Sequence, residues 1–183
     1  MHTGEPYSAD SVTPENLIHC HVFHGIQLSD ARMIAAAVTK THFEPGTVIL
    51  EEGRSAQALW LICSGECSVI RKGPGDREQI LATIGARDVF GEMSFISVRP
   101  HSATIRAVSP VTALVYTRED FLILAESHPT AAFHICSNLA AVLTDRLLRM
   151  DQWICELMNR PESLKHRDEW QSFRATVYNN WNL

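Results

Sequence analysis

The apolar positions of this chain change spacing twice. Within residues 15–41 they recur at helical intervals. In LSDARMIAAAVTK, Ala31, Ile34, Ala35 and Val38 share one face, and Ser29 is placed to cap the segment. From HFEPGTVILEEG to Thr117 the pattern shortens into β-rich runs: TVILEEG, ALWLICSGECSVIRKG, EQILATIGARDVFGE, SATIRAV and VTALVYT. Gly46, Gly53, Gly65, Gly73, Gly75, Gly85 and Gly91 mark the turns between them. Many short strands with regular turns predict a small antiparallel barrel or jelly roll. The helical period then returns. REDFLILAESH predicts one short helix, Pro129 restarts the chain, and residues 130–160 predict one long helix that Pro161 ends.

This layout divides the chain into a flexible polar leader (1–14), a main domain (15–160) and a C-terminal tail (161–183). The domain is mainly β with flanking helices. The long helix carries apolar residues seven apart, at Cys136, Leu143, Met150 and Leu157, with a second line through Leu139, Leu147 and Ile154. That is a loose coiled-coil seam, interrupted by Arg146, and it predicts a homodimer through residues 130–160. The alternative is that this face packs on the chain's own roll. In the tail, Trp170, Phe173, Val177 and Trp181 fall on one helical face. Aromatics so spaced pack on the protein's own body, for instance as a lid, or await an effector protein.

Composition narrows the function. Hydrophobic residues make up 45% and charged residues 20%, as in ordinary globular proteins. A formal net charge of −5 argues against a general nucleic-acid or membrane-surface binder. No apolar run reaches the roughly 18–20 residues of a membrane span, and the N-terminus has no basic-then-apolar pattern. The five cysteines, Cys20, Cys63, Cys67, Cys136 and Cys155, are odd in number and irregularly spaced in apolar contexts. They read as buried, reduced thiols of a cytoplasmic protein. The only H-x-H spacing, His19 to His21, lies in the helical region rather than in the roll, so no metal site is expected. No Ser/His/Asp arrangement, phosphate-binding Gly-Lys-Thr loop or carboxylate pair stands out, and an enzyme is not expected.

One stretch carries chemistry: DVFGEMSFISVRPHSATIRA, residues 88–107. It reads as a strand end, one helical turn and a second strand. Gly91 permits close backbone approach. The turn that follows, through Glu92, Met93 and Ser94, exposes N–H groups that favour an anion.

Taken with FEPGTVILEEG, ALWLICSGECSVI and IGARDVFGE, in that order and spacing, this stretch resembles the cyclic-nucleotide-binding domains of the catabolite activator protein and the protein kinase A regulatory subunit. The resemblance runs from about residue 16 to residue 160. It implies a cyclic-nucleotide-binding β-roll followed by a long C-terminal helix, and a regulatory module that takes cAMP or cGMP. It makes this stretch, residues 88–107, the phosphate-binding cassette. Glu92 would hold the ribose 2′-OH, Ser102 would supply a hydroxyl donor, and Ala103 would leave room.

The departure is His101, where the family places an arginine whose planar fork pairs with the cyclic phosphate. A hydrogen bond to a charged group is worth roughly 1.5–3 kcal/mol, so its loss weakens the site about 10–100-fold. Two rescues are open: an imidazolium at His101, held by the phosphate itself, or Arg99 swinging in from across Pro100. On the long helix, Asp151, next to Met150, would face the base. Two alternatives share the fold: a ligand-free interaction scaffold, and a cyclic dinucleotide receptor using Arg99 or Arg106 for a second phosphate. Family transcription factors carry a winged helix-turn-helix after the long helix. Residues 161–183 are too short for one, so DNA binding by this chain is not expected.

Overall fold

The computed structural model describes residues 12–158. They fall into two compact units, one ending at Leu139 and one beginning at Ala140. The expected leader, apart from residues 12–14, and the aromatic tail lie outside the described residues.

The first unit opens with helix α1 (Pro14–Ile18), capped by the Thr13 hydroxyl, which accepts from the Asn16 N–H at 3.2 Å. A 3-10 turn (His21–Phe23) leads to α2 (Leu28–Ala37). Gln27, not Ser29, occupies the N-cap of α2, and no side chain caps it. Ser29 lies one residue inside the helix, with its hydroxyl beside Asp30 at 3.4 Å. The helical region also ends earlier than its periodicity predicts, because Thr39–Phe43 forms strand β1.

The remaining strands are β2 (Val48–Leu50), β3 (Ala58–Ser64), β4 (Cys67–Lys72), β5 (Glu78–Ile84), β6 (Val89–Phe90), β7 (Thr104–Ala107) and β8 (Val111–Thr117). They form two four-stranded antiparallel sheets, ordered β1-β8-β3-β6 and β2-β7-β4-β5. Strand side chains alternate between faces, so each sheet turns one face inward. Leu50, Ile62, Cys67, Phe90, Ile105, Ala107, Val111 and Ala113 are buried together as the inner core, with Phe43 and Trp60 packed against them. The opposite faces of β3 and β8 are buried too. Leu59, Leu61, Leu114 and Tyr116 share an apolar lining with Val22 and Phe23, and Phe23 meets Tyr116 edge-on at 6.2 Å. Burial on both faces explains why these two strands read as continuous apolar runs. At the other extreme, β5 is an edge strand that leaves Ile80 and Leu81 exposed.

Between β6 and β7 lies the short helix α3 (Glu92–Ser97). After β8, α4 (Arg118–Ser127) is capped by the Thr117 hydroxyl, which accepts from the Asp120 N–H at 3.1 Å. Helix α5 (Pro129–Met158) follows directly. Its first turns bury Ala131, Ala132, Ile135 and Leu139. Asn138 donates to the carbonyls of Val22 and His24 at 3.0 and 2.8 Å, and His128 pairs with Asp30 at 3.0 Å, fastening the N-terminal helices to this segment.

In the second unit the stretch of α5 from Ala140 exposes Leu147, Leu148, Met150 and Trp153. The thiols divide: Cys20 and Cys67 are buried and Cys63 is partly buried, but Cys136 and Cys155 are exposed, against the expectation of five buried thiols. Burial pushes the Cys20 and Cys67 thiols up to about 11. Among the described residues no helix is long and apolar enough to cross a membrane, and no cluster of metal-ligating side chains occurs.

Candidate functional site

The β6–α3–β7 connection is held against the end of β3. Gly91 has φ +80°, and a Cβ there would stand 2.5 Å from the Ala58 carbonyl oxygen and 3.0 Å from the Trp60 ring. Its missing side chain therefore serves contact with β3, a requirement that the sequence alone did not reveal. Trp60 in turn stacks on Phe90 at 5.7 Å and 7°.

Glu92 opens α3 and is buried, with 4% of its surface exposed. Ser94 and Phe95 face inward from the same helix, while Met93 is exposed. Phe95 packs on Phe121 and Tyr116, and its carbonyl accepts from Arg118 Nε at 2.9 Å. These contacts fix α3 on α4. The helix ends at Val98, a β-branched residue held at φ +54°. L-residues avoid that region, and a β-branched residue there is a strained position. Val98, Arg99 and Pro100 form the exposed tip of the cassette.

His101 is not at that surface. It is 7% exposed, and both ring nitrogens are engaged. The Ala56 N–H donates to Nε2 at 3.2 Å, and Nδ1 lies 3.0 Å from Ser94 Oγ. A backbone N–H can only donate, so Nε2 holds a lone pair and the proton of the neutral ring sits on Nδ1. Nδ1–H then donates to Ser94 Oγ, whose own proton goes to the Gly91 carbonyl at 2.9 Å, with the Ala56 carbonyl at 3.3 Å. Burial lowers the His101 pKa from its ordinary 6.5. Both observations favour the neutral ring in this arrangement.

The backbone of His101 continues the same contact. Its N–H donates to the Arg54 carbonyl at 2.8 Å, and its carbonyl accepts from Gly53 at 2.9 Å. Three residues on, Thr104 Oγ1 accepts from the Glu52 N–H at 3.0 Å. The loop joining β2 to β3, residues 51–57, is thus tied along the cassette. Ser102 is exposed, with its hydroxyl 3.5 Å from Met93 Sδ, and Ala103 is half-buried.

Of the residues singled out from the sequence, Gly91, Glu92, Met93, Ser94, Arg99, His101, Ser102 and Ala103 are brought together on this one connection. Asp151 falls in the second unit and is half-buried on α5. Arg106 is committed elsewhere, in a two-pronged pair with Glu78 at 2.8 and 2.7 Å. Sequence reasoning missed Ala56 and the pairing role of Ser94. A hydroxyl seven residues before a histidine gives no warning that the two side chains meet.

The chain thus sets two antiparallel sheets around a strand–helix–strand connection, with a short and a long helix after the last strand. Residues 40–128 match the family described as "Cyclic nucleotide-binding domain", and this segment of the chain is a domain of that family. The cyclic AMP receptor protein of Thermus thermophilus is 33% identical over 130 residues, which are 71% of this chain and 58% of that protein. The cAMP-dependent protein kinase regulatory subunit of Yarrowia lipolytica is 32% identical over 88 residues, 48% of this chain and 23% of that one. A solved cyclic nucleotide-binding domain from Methylobacillus flagellatus superposes with a TM-score of 0.72 at 25% identity, covering 78% of this chain and 83% of that one. The chain thus spans less than two thirds of the length of the two curated relatives.

Proposed function

We propose that this chain is a non-enzymatic cyclic-nucleotide sensor whose phosphate cassette has been retuned by His101. It takes cAMP or cGMP and uses no metal. The observation that carries this reading is the buried carboxylate of Glu92 at the start of α3, one residue after the glycine that presses the connection onto β3. An ionised carboxylate only accepts hydrogen bonds, which suits ribose hydroxyls. Ser102 and Ala103 supply a hydroxyl and space beside it, and Arg99 is an exposed cation at the cassette tip. Asp151 is the candidate base contact. The module works as a cytoplasmic homodimer through residues 130–160, supported by the exposed Leu147, Met150 and Trp153 of α5. Binding there would bias α5 between two arrangements and pass the change to an effector protein, through Trp170, Phe173 and Trp181, rather than to DNA or a membrane.

Calorimetric titration of the full chain with cAMP and cGMP tests this. Saturable binding that Glu92→Ala removes supports it. No heat with either nucleotide, in a chain shown to be folded, sinks it.

A second reading, the ligand-free interaction scaffold, is favoured by the inward direction of the His101 ring, which leaves the cassette without a cation at that position. A cyclic dinucleotide receptor is the third. The Arg106–Glu78 pair leaves Arg99 as its cation among the two considered.

A further inference from the structure

The His101 ring sits in a place that accepts only its neutral form. Ser94 has one hydroxyl proton, and the Gly91 carbonyl at 2.9 Å takes it, so the Ser94 oxygen must receive Nδ1–H. The other nitrogen faces a peptide N–H, at Ala56. A second proton on the ring would go to Nε2 and point at that N–H, donor against donor, in a buried setting. Either the ring or the Ala56 peptide must then move.

What would move is defined. Residues 51–57 are fastened to the cassette through Gly53, Arg54 and Ala56, each bonded to His101, and through the Ala56 carbonyl beside Ser94. Between the two anchors, Ser94 and His101, the chain holds Val98 at φ +54°. Backbone strain of this kind persists only where the surroundings impose it, and it favours release once an anchor is lost.

Charged groups on the elements packed against the ring do not offer an imidazolium a partner. The loop carries Glu51, Glu52 and Arg54. Glu51 and Arg54 face each other at 3.4 Å on the surface. Glu52 accepts from the Lys72 N–H and lies 3.7 Å from Arg71. Glu92 on α3 is buried and engaged, and Arg99 at the cassette tip has the wrong sign. Thr104, on β7, is neutral.

We propose that His101, Ser94 and the Ala56 peptide form a proton-operated latch that fastens the 51–57 loop to the cassette at neutral pH and releases it in acid. The sign follows from burial, which lowers the His101 pKa. The closed form is fully supported above 6.5 and is lost as pH falls through the lower value in the folded chain. The latch does not depend on the nucleotide reading, although both involve His101. If a nucleotide does bind, opening in acid would also present the imidazolium to the solvent side of the cassette.

The test is an NMR titration of the full chain from pH 8 to pH 5 with no nucleotide present, so its result stands apart from whether one binds. Ring nitrogen shifts of His101 should report the Nδ1–H tautomer at pH 8 and a titration midpoint below 6.5. Hydrogen-exchange protection of the Ala56 and Gly53 amides, corrected for intrinsic rate, should fall by about tenfold or more with the same midpoint. In His101→Gln, whose amide accepts and donates without titrating, protection should persist across the range. An Nε2–H tautomer, a midpoint at or above 6.5, or the same loss of protection in His101→Gln would overturn the latch.

Discussion

Replacing Gly91 by alanine tests how the cassette is seated. Two costs add. An L-residue at φ +80° costs roughly 1–2 kcal/mol in backbone conformation. The new Cβ would also lie 2.5 Å from the Ala58 carbonyl, which belongs to a paired strand and cannot retreat cheaply. Overpacking of this kind adds roughly 1–3 kcal/mol. Gly46 is the internal control: it has φ +87° with nothing within 4 Å of a built Cβ, so Gly46→Ala carries the backbone cost alone. Urea unfolding at pH 7 should show Gly91→Ala destabilised by about 2–5 kcal/mol and Gly46→Ala by about 1–2 kcal/mol, with unchanged denaturant slopes. For a chain of this size the difference corresponds to a melting shift of several degrees, at roughly 2–4 °C per kcal/mol. Equal losses for the two variants would show that contact with β3 does not require a glycine at position 91, and the account of the cassette's seating would fail.

Phe95, 2% exposed and packed on Phe121 and Tyr116, anchors α3 on α4. Phe95→Ala should cost about 3–5 kcal/mol in the same unfolding assay, and a loss under about 1 kcal/mol would contradict its place in the core. Thiol titration of the native chain should leave Cys20 and Cys67 unreacted until denaturant is added, because burial holds both near 11; fast labelling of either would contradict their placement. The cross-strand Arg106 guanidinium holds the Glu78 carboxyl below its ordinary 4.5. The pair's contribution is therefore present above 4.5 and fades as pH falls through the lower folded-state value. The carboxyl shift of Glu78, followed by NMR, should titrate below 4.5 in the native chain and move up in Arg106→Ala; no movement would break the assignment.

The roll was legible because its punctuation is local. Turn glycines and short apolar runs marked seven of the strands in order, and the motif spacing marked the cassette. β1 was missed because TKTHF has one large apolar residue and no alternation that sets it apart from a helix end. Ser29 looked like a cap, but α2 itself begins one residue before it, at Leu28. The inward turn of His101 was illegible for a different reason. Its Nε2 partner is 45 residues away in sequence, and that contact exists only once β2 and β7 have paired. A sequence shows that an arginine is absent. Where its replacement points is a tertiary fact. The apolar seam of α5 was legible as a pattern. What covers it was not, since self-packing and dimer seams use the same spacing.

In the proposed function, the cassette is a nucleotide site weakened by the histidine at position 101. Calorimetric titration of the native chain and His101→Arg with cAMP at pH 8 tests it most directly. Weak, saturable binding by the native chain is expected, with affinity about 10–100-fold higher in His101→Arg, the worth of one charged hydrogen-bonded pair. Two folded proteins that both leave cAMP unbound, or an arginine variant no tighter than the native chain, would contradict it.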